Sequence, residues 1–154
     1  MNKKQLLMAL CLAASAGAMT GCAAPGRPHK EVLRTDNIYP AIGPYSQMIG
    51  YGNLIYFSGL IALNKEGTAI EGATTAEQTR RVLDYIGAGL ASQGLTYEDV
   101  LSSTVYMQDL NDFAAMNAVY GEYFKKDPPA RSTIQVARLP RDAKIEIAII
   151  AGRR

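Results

Sequence analysis

Tryptophan is absent from this chain of 154 residues, which has only two cysteines and one histidine. Two cysteines are too few for a disulfide framework or a cysteine-rich zinc site. Because His29 is the single histidine, we expect neither a histidine-rich metal centre nor a serine–histidine pair in the folded part. With 48% hydrophobic and 19% charged residues, the composition argues against disorder and predicts one folded domain.

The first residues have the pattern of a secretory signal. Lys3 and Lys4 precede an uncharged apolar run over 6–19, which is shorter than the roughly 18 residues of a membrane-spanning helix. The run ends in Met19-Thr20-Gly21-Cys22, which resembles the lipobox of bacterial lipoproteins, where the cysteine is lipidated and becomes the first residue after cleavage. The alternative is an ordinary signal peptide with a coincidental cysteine. The predicted division of the chain is a signal peptide over 1–21, the lipidated Cys22 with a tether over 22–30, and a folded domain over 31–154.

The tether predicts the location of the protein, and the charge balance excludes one class of partner. Residues 23–30 are rich in small residues and proline and lack apolar periodicity. By resemblance to enterobacterial lipoproteins, Ala23 after Cys22 predicts a lipid-anchored protein on the periplasmic side of the outer membrane. Removing Lys3 and Lys4 with the signal leaves 14 basic against 14 acidic residues, a formal net charge of zero. Nucleic-acid binding needs a basic face, so no nucleic-acid partner is expected.

A hairpin and a helix are predicted in the first half of the folded part. Gly52-Asn53 separates two apolar runs within residues 46–63, which is typical of a β-hairpin. Thr75 with Gln78 three residues later predicts a capping box that begins a helix, and Gly94 is suited to its C-terminal end. The apolar residues of this helix follow helical spacing: Val82, Leu83, Ile86 and Leu90.

The second half predicts the rest of an α+β fold. Residues 100–107 are rich in β-branched and aromatic types, and residues 144–151 alternate isoleucine with other residues, as strands do. Asn111 or Asp112 begins a helix, and Asp127-Pro128-Pro129 stops it. The apolar residues on one side of that helix are Phe113, Met116, Tyr120 and Phe124, and the other predicted strands are 132–137 and a short one at 31–34. The order predicts one mixed sheet with two helices on one face, and apolar residues on its other face predict oligomerisation.

Two charged residues are notable without any family knowledge. Arg131 lies where a loop enters a strand. Glu146 lies between two isoleucines of an apolar strand, so its side chain points away from the isoleucine face. On the residues alone the ordinary interpretations are favoured: Arg131 as a surface residue or half of an ion pair, and Glu146 as an exposed strand position.

Several segments together resemble the reactive intermediate deaminase family, also called RidA or YjgF. These are AIGPYSQ at 41–47, FSG at 57–59, DLNDF at 109–113, and the stretch 129–147 that contains PARS, VARLP and IEI. They stand in the family's order and cover essentially all of residues 31–154. The resemblance implies a chorismate-mutase-like fold and a homotrimer, with three sites in clefts between neighbouring subunits.

The same resemblance implies an activity and a set of site residues. The activity is hydrolysis of reactive 2-imino or enamino acids to 2-keto acids and ammonia, without metal or organic cofactor. The implied catalytic residues are Arg131, Glu146 and Thr133, and the implied substrate-binding residues are Tyr45, Ser58, Gly59, Asn117 and Arg131. Leu60, Thr133 and a shortened segment before Arg131 depart from the family pattern and bear on substrate range.

Two functions without turnover are alternatives to the enzyme. One is a module that binds a carboxylate ligand in the same cleft, and the other is a membrane-anchored interaction protein of the holdase type. A binding module needs Arg131 but not Glu146, whereas a holdase needs neither. The presence of both residues therefore favours the enzyme.

Overall fold

The computed structural model describes residues 27–153, so the predicted signal peptide over 1–21 and Cys22 lie outside the described residues. Within residues 27–153, seven strands form one sheet and two α-helices pack against it. The strands are β1 (Lys30–Leu33), β2 (Met48–Tyr51), β3 (Leu54–Phe57), β4 (Leu60–Ile61), β5 (Val100–Met107), β6 (Ala130–Gln135) and β7 (Ile145–Gly152). The helices are α1 (Thr75–Ser92) and α2 (Phe113–Tyr123). In this part of the chain, no helix is both long and apolar enough to cross a membrane.

The order of the strands places β7 near the middle of the sheet and β6 at one edge. Neighbouring strands follow the path β1-β2-β3-β7-β5-β6, and the short β4 also pairs with β7. These pairs are antiparallel except for β5 with β6, which run parallel. Parallel neighbours need a crossover connection, and α2 lies in it. The predicted α+β fold with one mixed sheet is therefore confirmed.

Alternation along β7 separates the buried core from the opposite face. Ile145, Ile147 and Ile149 are buried on the face that the helices cover. Glu146 and Ile150 point to the other face and are half-buried. The predicted apolar positions of α1 are all buried in the same core: Val82, Leu83, Ile86 and Leu90. Burial of each such side chain contributes about 1.5–3 kcal/mol to the free energy of folding.

The capping box of α1 lies one residue earlier than predicted. The side chain of Thr74 accepts a hydrogen bond from the backbone N–H of Glu77, whose carboxylate accepts one from the Thr74 N–H at 2.9 Å. The charged Glu77 is the stronger acceptor at a helix N-terminus, which explains the register. Thr75 is instead buried, and its hydroxyl donates to Asp112. The predicted end of the helix is confirmed, since Gly94 has φ of +71°.

The second helix and the last strands differ from prediction at their ends. A 3-10 turn over Leu110–Asp112 precedes α2, and the carboxylate that caps this turn belongs to Asp109. Met116 and Tyr120 are buried as predicted, but Phe113 is 38% exposed because it lies at the first residue of the helix. Strand β6 begins at 130 and ends at 135 rather than covering 132–137.

The face of the sheet away from the helices is partly apolar and exposed. The register pairs Val32 with Ile49, Ile49 with Tyr56, and Tyr56 with Ile150, so an apolar row crosses four strands. Val32 and Tyr56 are 64% and 41% exposed. Contiguous apolar surface of this kind marks protein–protein contacts in soluble proteins. The predicted homotrimer would cover this face and stays a prediction.

Candidate active site

A cavity of 450 Å³ lies beside the N-terminal end of β7, and we call it the Glu146 pocket. It brings together four of the predicted site residues: Tyr45, Ser58, Gly59 and Glu146. Its remaining lining residues are Tyr39, Ile42, Ile61 and Pro140. Nowhere within residues 27–153 do three or more histidine, cysteine, aspartate or glutamate side chains group so as to hold a metal ion.

The carboxyl group of Glu146 lies directly against the backbone of Gly59. A Cβ atom added to Gly59 would lie 1.9 Å from Oε1 of Glu146 and 2.7 Å from its Cδ, far inside van der Waals contact. Strand β7 pairs with β4 at Ile61 opposite Glu146, which brings the carboxyl group next to the turn between β3 and β4. A side chain at position 59 would therefore displace the carboxyl group from this place.

The protonation of Glu146 is shifted by its surroundings. Burial raises the pKa of Glu146 above its ordinary value, because desolvation disfavours the charged carboxylate. No group among residues 27–153 donates a hydrogen bond to it or pairs with it as a cation. A carboxyl group with a raised pKa and free oxygens is suited to take up and return a proton.

Ser58 and Tyr45 shape the wall and the mouth of the Glu146 pocket. The hydroxyl of Ser58 donates to the carbonyl of Ser46 at 2.6 Å, so it holds two loops together and has no proton to offer a ligand. The hydroxyl of Tyr45 accepts from the backbone N–H of Ile42 at 3.2 Å. Since Tyr45 is 40% exposed, its ring forms the outer rim of the pocket.

Tyr39 is a pocket residue that the sequence analysis missed. Its side chain is buried, and its hydroxyl accepts from the backbone N–H of Ile61 at 3.1 Å. Burial is the main cause that raises the pKa of Tyr39 far above its ordinary value. Tyr39 lies in a loop between β1 and β2, where no helix or strand periodicity could have marked it as buried.

Arg131 lies outside the Glu146 pocket, on the helix-covered side of β6. Its guanidinium carbon is 4.5 Å from the ring centroid of Tyr120 and 5.8 Å from that of Phe113, both on α2. No acidic side chain among residues 27–153 pairs with Arg131. The interpretation as half of an ordinary ion pair is therefore wrong within this part of the chain. A guanidinium that stacks on aromatic rings and lacks a counter-charge is suited to bind an anion.

Asn117 and Thr133 lie beside Arg131, and we call these three residues the Arg131 cluster. Thr133 is two residues from Arg131 along β6, so both side chains point to the same face. Asn117 lies on α2 between Phe113 and Tyr120, on the helix face that contacts Arg131. The Thr133 hydroxyl is buried and has no hydrogen-bond partner within residues 27–153. An unpaired buried hydroxyl costs about 1–3 kcal/mol, which a ligand or a second chain could recover.

Within one chain the structure does not bring the Arg131 cluster and the Glu146 pocket together. The register pairs Arg131 with Ser103, which is buried on the helix-covered face and bonded to Tyr120 there. Glu146 pairs with Tyr106 and points to the opposite face. The two residues are thus three positions apart along β5 and on strands at either side of it, about 10 Å in each direction. Within one chain the two side chains therefore face different sides of the sheet.

Comparisons with known proteins find relatives of the folded part. The family model described as endoribonuclease L-PSP matches residues 35–152. A RutC family protein of Pyrococcus horikoshii is 46% identical over 122 residues, which are 79% of this chain and 97% of the relative. The 2-iminobutanoate/2-iminopropanoate deaminase of Escherichia coli K12 is 44% identical over 127 residues, 80% of this chain and 98% of the relative. The crystal structure of the YjgF gene product from E. coli has a TM-score of 0.75 at 43% identity and covers 80% of this chain and 99% of its own.

These comparisons overturn the predicted location. The archaeal and bacterial relatives are cytosolic proteins, and about four fifths of this chain matches 97–98% of their length. The prediction of a lipid-anchored protein on the periplasmic side of the outer membrane is therefore wrong. It depended on a short apolar run and a four-residue resemblance that ends at Cys22, patterns too short to specify a compartment.

Proposed function

The chain is an enzyme of the reactive intermediate deaminase (RidA/YjgF) family, and we propose that it hydrolyses 2-imino and 2-enamino acids to 2-keto acids and ammonia at a site shared by two chains. The observation that supports a shared site is the opposite orientation of Arg131 and Glu146 in one chain. The Arg131 cluster has a cation without an acid, and the Glu146 pocket has an acid without a cation.

A homotrimer is the assembly that we propose for these shared sites. In a closed ring, the Arg131 cluster of each subunit meets the Glu146 pocket of the next, so three subunits form three equivalent sites. The exposed apolar row through Val32 and Tyr56 gives the subunits a surface to bury. This assembly leaves neither the guanidinium nor the apolar face without a partner.

The Arg131 cluster would hold the carboxylate of the substrate. A guanidinium presents its N–H groups as a planar fork that matches the two oxygens of a carboxylate, and it stays charged at all working pH values. Stacking on Tyr120 limits the orientations of Arg131, so the substrate is held in one pose. With the carboxylate fixed, the adjacent C=N carbon lies at one defined place in the Glu146 pocket.

Glu146 would then serve as the proton acceptor and donor. Water forms a bond to the carbon of the protonated imine, the C=N electron pair moves to nitrogen, and Glu146 takes a proton from the water. Glu146 next returns that proton to nitrogen, and the C–N bond breaks with its electrons leaving on ammonia. As the C=O bond forms, the carbinol O–H gives its proton to the departing ammonia, which leaves as ammonium. By the family resemblance, the backbone carbonyl of Thr133 helps to hold the water, and Tyr45 covers the pocket.

Hydrolysis of an imine requires little from the protein beyond positioning of the reactants. Imines already hydrolyse in water, so a modest acceleration is enough, and the proposed reaction needs no cofactor or strong nucleophile. Holding the imine carbon and the water together is an effect that enzymes exploit widely. The raised pKa of Glu146 brings its proton affinity closer to that of the groups it serves.

An oxidase-coupled assay tests the proposal. An amino-acid oxidase generates 2-iminopropanoate, and the appearance of the keto acid is followed with and without the protein. We expect the wild-type protein to accelerate it and Arg131→Ala to abolish the acceleration. Arg138→Ala is the matched control, because Arg138 is exposed and pairs with Asp142 at 2.6 Å.

The same assay separates the alternatives. If the wild-type protein does not exceed the buffer rate, the enzymatic function is refuted. Tight keto-acid binding that requires Arg131 without any acceleration would establish the binding module instead. Protection of unfolded proteins from aggregation by both wild type and Arg131→Ala, again without acceleration, would favour the holdase.

A further inference from the structure

Tyr39 is a polar residue of the Glu146 pocket to which the proposed reaction gives no role. Its ring is 2% exposed and packs edge-to-face on Tyr85, with the centroids 5.3 Å apart. Its hydroxyl oxygen accepts a hydrogen bond from the backbone N–H of Ile61 at 3.1 Å. The oxygen is therefore held in place by a strand and by an aromatic neighbour.

The hydroxyl of Tyr39 lies close to the proposed proton acceptor. Ile61, whose amide holds it, is the residue directly opposite Glu146 in the pairing of β4 with β7. Residues that pair in this way have Cα atoms about 4.5–5.5 Å apart. Burial is the largest cause that raises the pKa of Tyr39, and the negative charge of Glu146 is a smaller one, as expected for neighbouring groups.

The proton of Tyr39 is available to a ligand. A phenol has one proton and accepts through its oxygen, and the Ile61 amide occupies the accepting side. None of residues 27–153 accepts a hydrogen bond from this hydroxyl. The raised pKa keeps the proton on the oxygen at neutral pH. Tyr45 has a similar bond to a backbone amide, but it lies at the exposed mouth of the pocket.

We propose that Tyr39 is a further catalytic residue, whose hydroxyl donates a hydrogen bond to the attacking water while Glu146 accepts one from it. This inference rests on the proposed hydrolysis. One water spans two polar atoms about 4.5 Å apart, through two hydrogen bonds of about 2.8 Å that meet near the tetrahedral angle, so no direct bond between Tyr39 and Glu146 is needed. Tyr39 itself loses no proton: the water gives its proton to Glu146 as its oxygen bonds to the imine carbon.

The test is Tyr39→Phe, which removes only the oxygen. We expect kcat to fall about tenfold while KM and the keto-acid Kd stay within twofold of wild type, because the substrate carboxylate is held by Arg131. Tyr85→Phe is the matched control. Its hydroxyl donates to the Leu63 carbonyl at 2.9 Å outside the pocket, so its loss lowers Tm without changing kcat.

A double variant separates catalysis from structure. If Tyr39 and Glu146 hold the same water, Tyr39→Phe costs little further rate in a Glu146→Gln background, whereas a purely structural effect lowers kcat equally in both backgrounds. Wild-type kcat in Tyr39→Phe, or equal losses in Tyr39→Phe and Tyr85→Phe, would overturn the inference. A wild-type protein without activity refutes the proposed function itself, which is a distinct result.

Discussion

Substitution of Gly59 by alanine is the sharpest test of where the proton acceptor lies. The added Cβ would fall 1.9 Å from Oε1 of Glu146 and 2.7 Å from Cδ, while real Cβ contacts under 3.0 Å are essentially never found. The carboxyl group must therefore retreat by about 1 Å or more, and displacements of this size cost on the order of 100-fold in rate. We expect kcat of Gly59→Ala to fall by about that factor.

The stability of Gly59→Ala is expected to change little. Position 59 does not have the positive φ that would strain an alanine. Loss of glycine flexibility in the unfolded chain stabilises the fold by about 0.4–1 kcal/mol, which offsets part of the cost of moving Glu146. Thermal unfolding followed by circular dichroism checks this, and the oxidase-coupled assay measures kcat.

Gly121 supplies the control for this experiment. It lies in α2, and a Cβ added there would meet nothing within 4 Å. Gly121→Ala should stabilise the helix by up to about 1 kcal/mol and leave kcat unchanged. Wild-type kcat in a folded Gly59→Ala protein would show that the Glu146 carboxyl does not act from its observed position, and the mechanism would have to be abandoned.

Three further predictions concern Glu146, Thr133 and the exposed face. Protonated Glu146 cannot accept a proton, so kcat/KM should fall as the pH drops through the raised pKa of Glu146. Because this pKa is raised in the folded state, Glu146 destabilises the fold as the pH rises, and Glu146→Gln should raise Tm at pH 8 more than at pH 4. A larger rise of Tm at pH 4 would contradict the argument that burial raises this pKa. Thr133→Val removes the unpaired buried hydroxyl, so Tm should rise while keto-acid Kd, measured by calorimetry, weakens about tenfold; unchanged binding would give that hydroxyl no role toward ligand. Tyr56→Asp places a charge on the exposed apolar row, and analytical ultracentrifugation should show loss of trimer together with activity, whereas active monomers would exclude a shared site.

Much of the fold follows from local patterns in the sequence. Strand β5 has the predicted bounds 100–107, because its β-branched and aromatic residues end at clear boundaries. The isoleucines of β7 predict that Glu146 points away from them, and this is confirmed. Strand β4 was missed as a separate element, since two residues carry no period.

The site was less predictable than the fold because it depends on register between distant strands. The face of Arg131 follows from its pairing with Ser103 of β5, and the sequence of β6, ARSTIQ, has no alternation of apolar and polar residues that reveals it. To predict that Tyr39 lines the pocket, the path of the loop between β1 and β2 had to be known. To predict the contact of Gly59 with Glu146, the position of β4 against β7 had to be known. Such contacts join residues more than twenty positions apart and leave no local signal.

The position of Arg131 and Glu146 on opposite faces of the sheet has a genetic consequence. If each site takes Arg131 from one subunit and Glu146 from the next, a trimer that contains both Arg131→Ala and Glu146→Gln subunits always has one site in which both residues are intact. The two variants, each inactive alone, would then complement one another when they are co-expressed, and a mixed trimer would have up to about a third of the wild-type kcat.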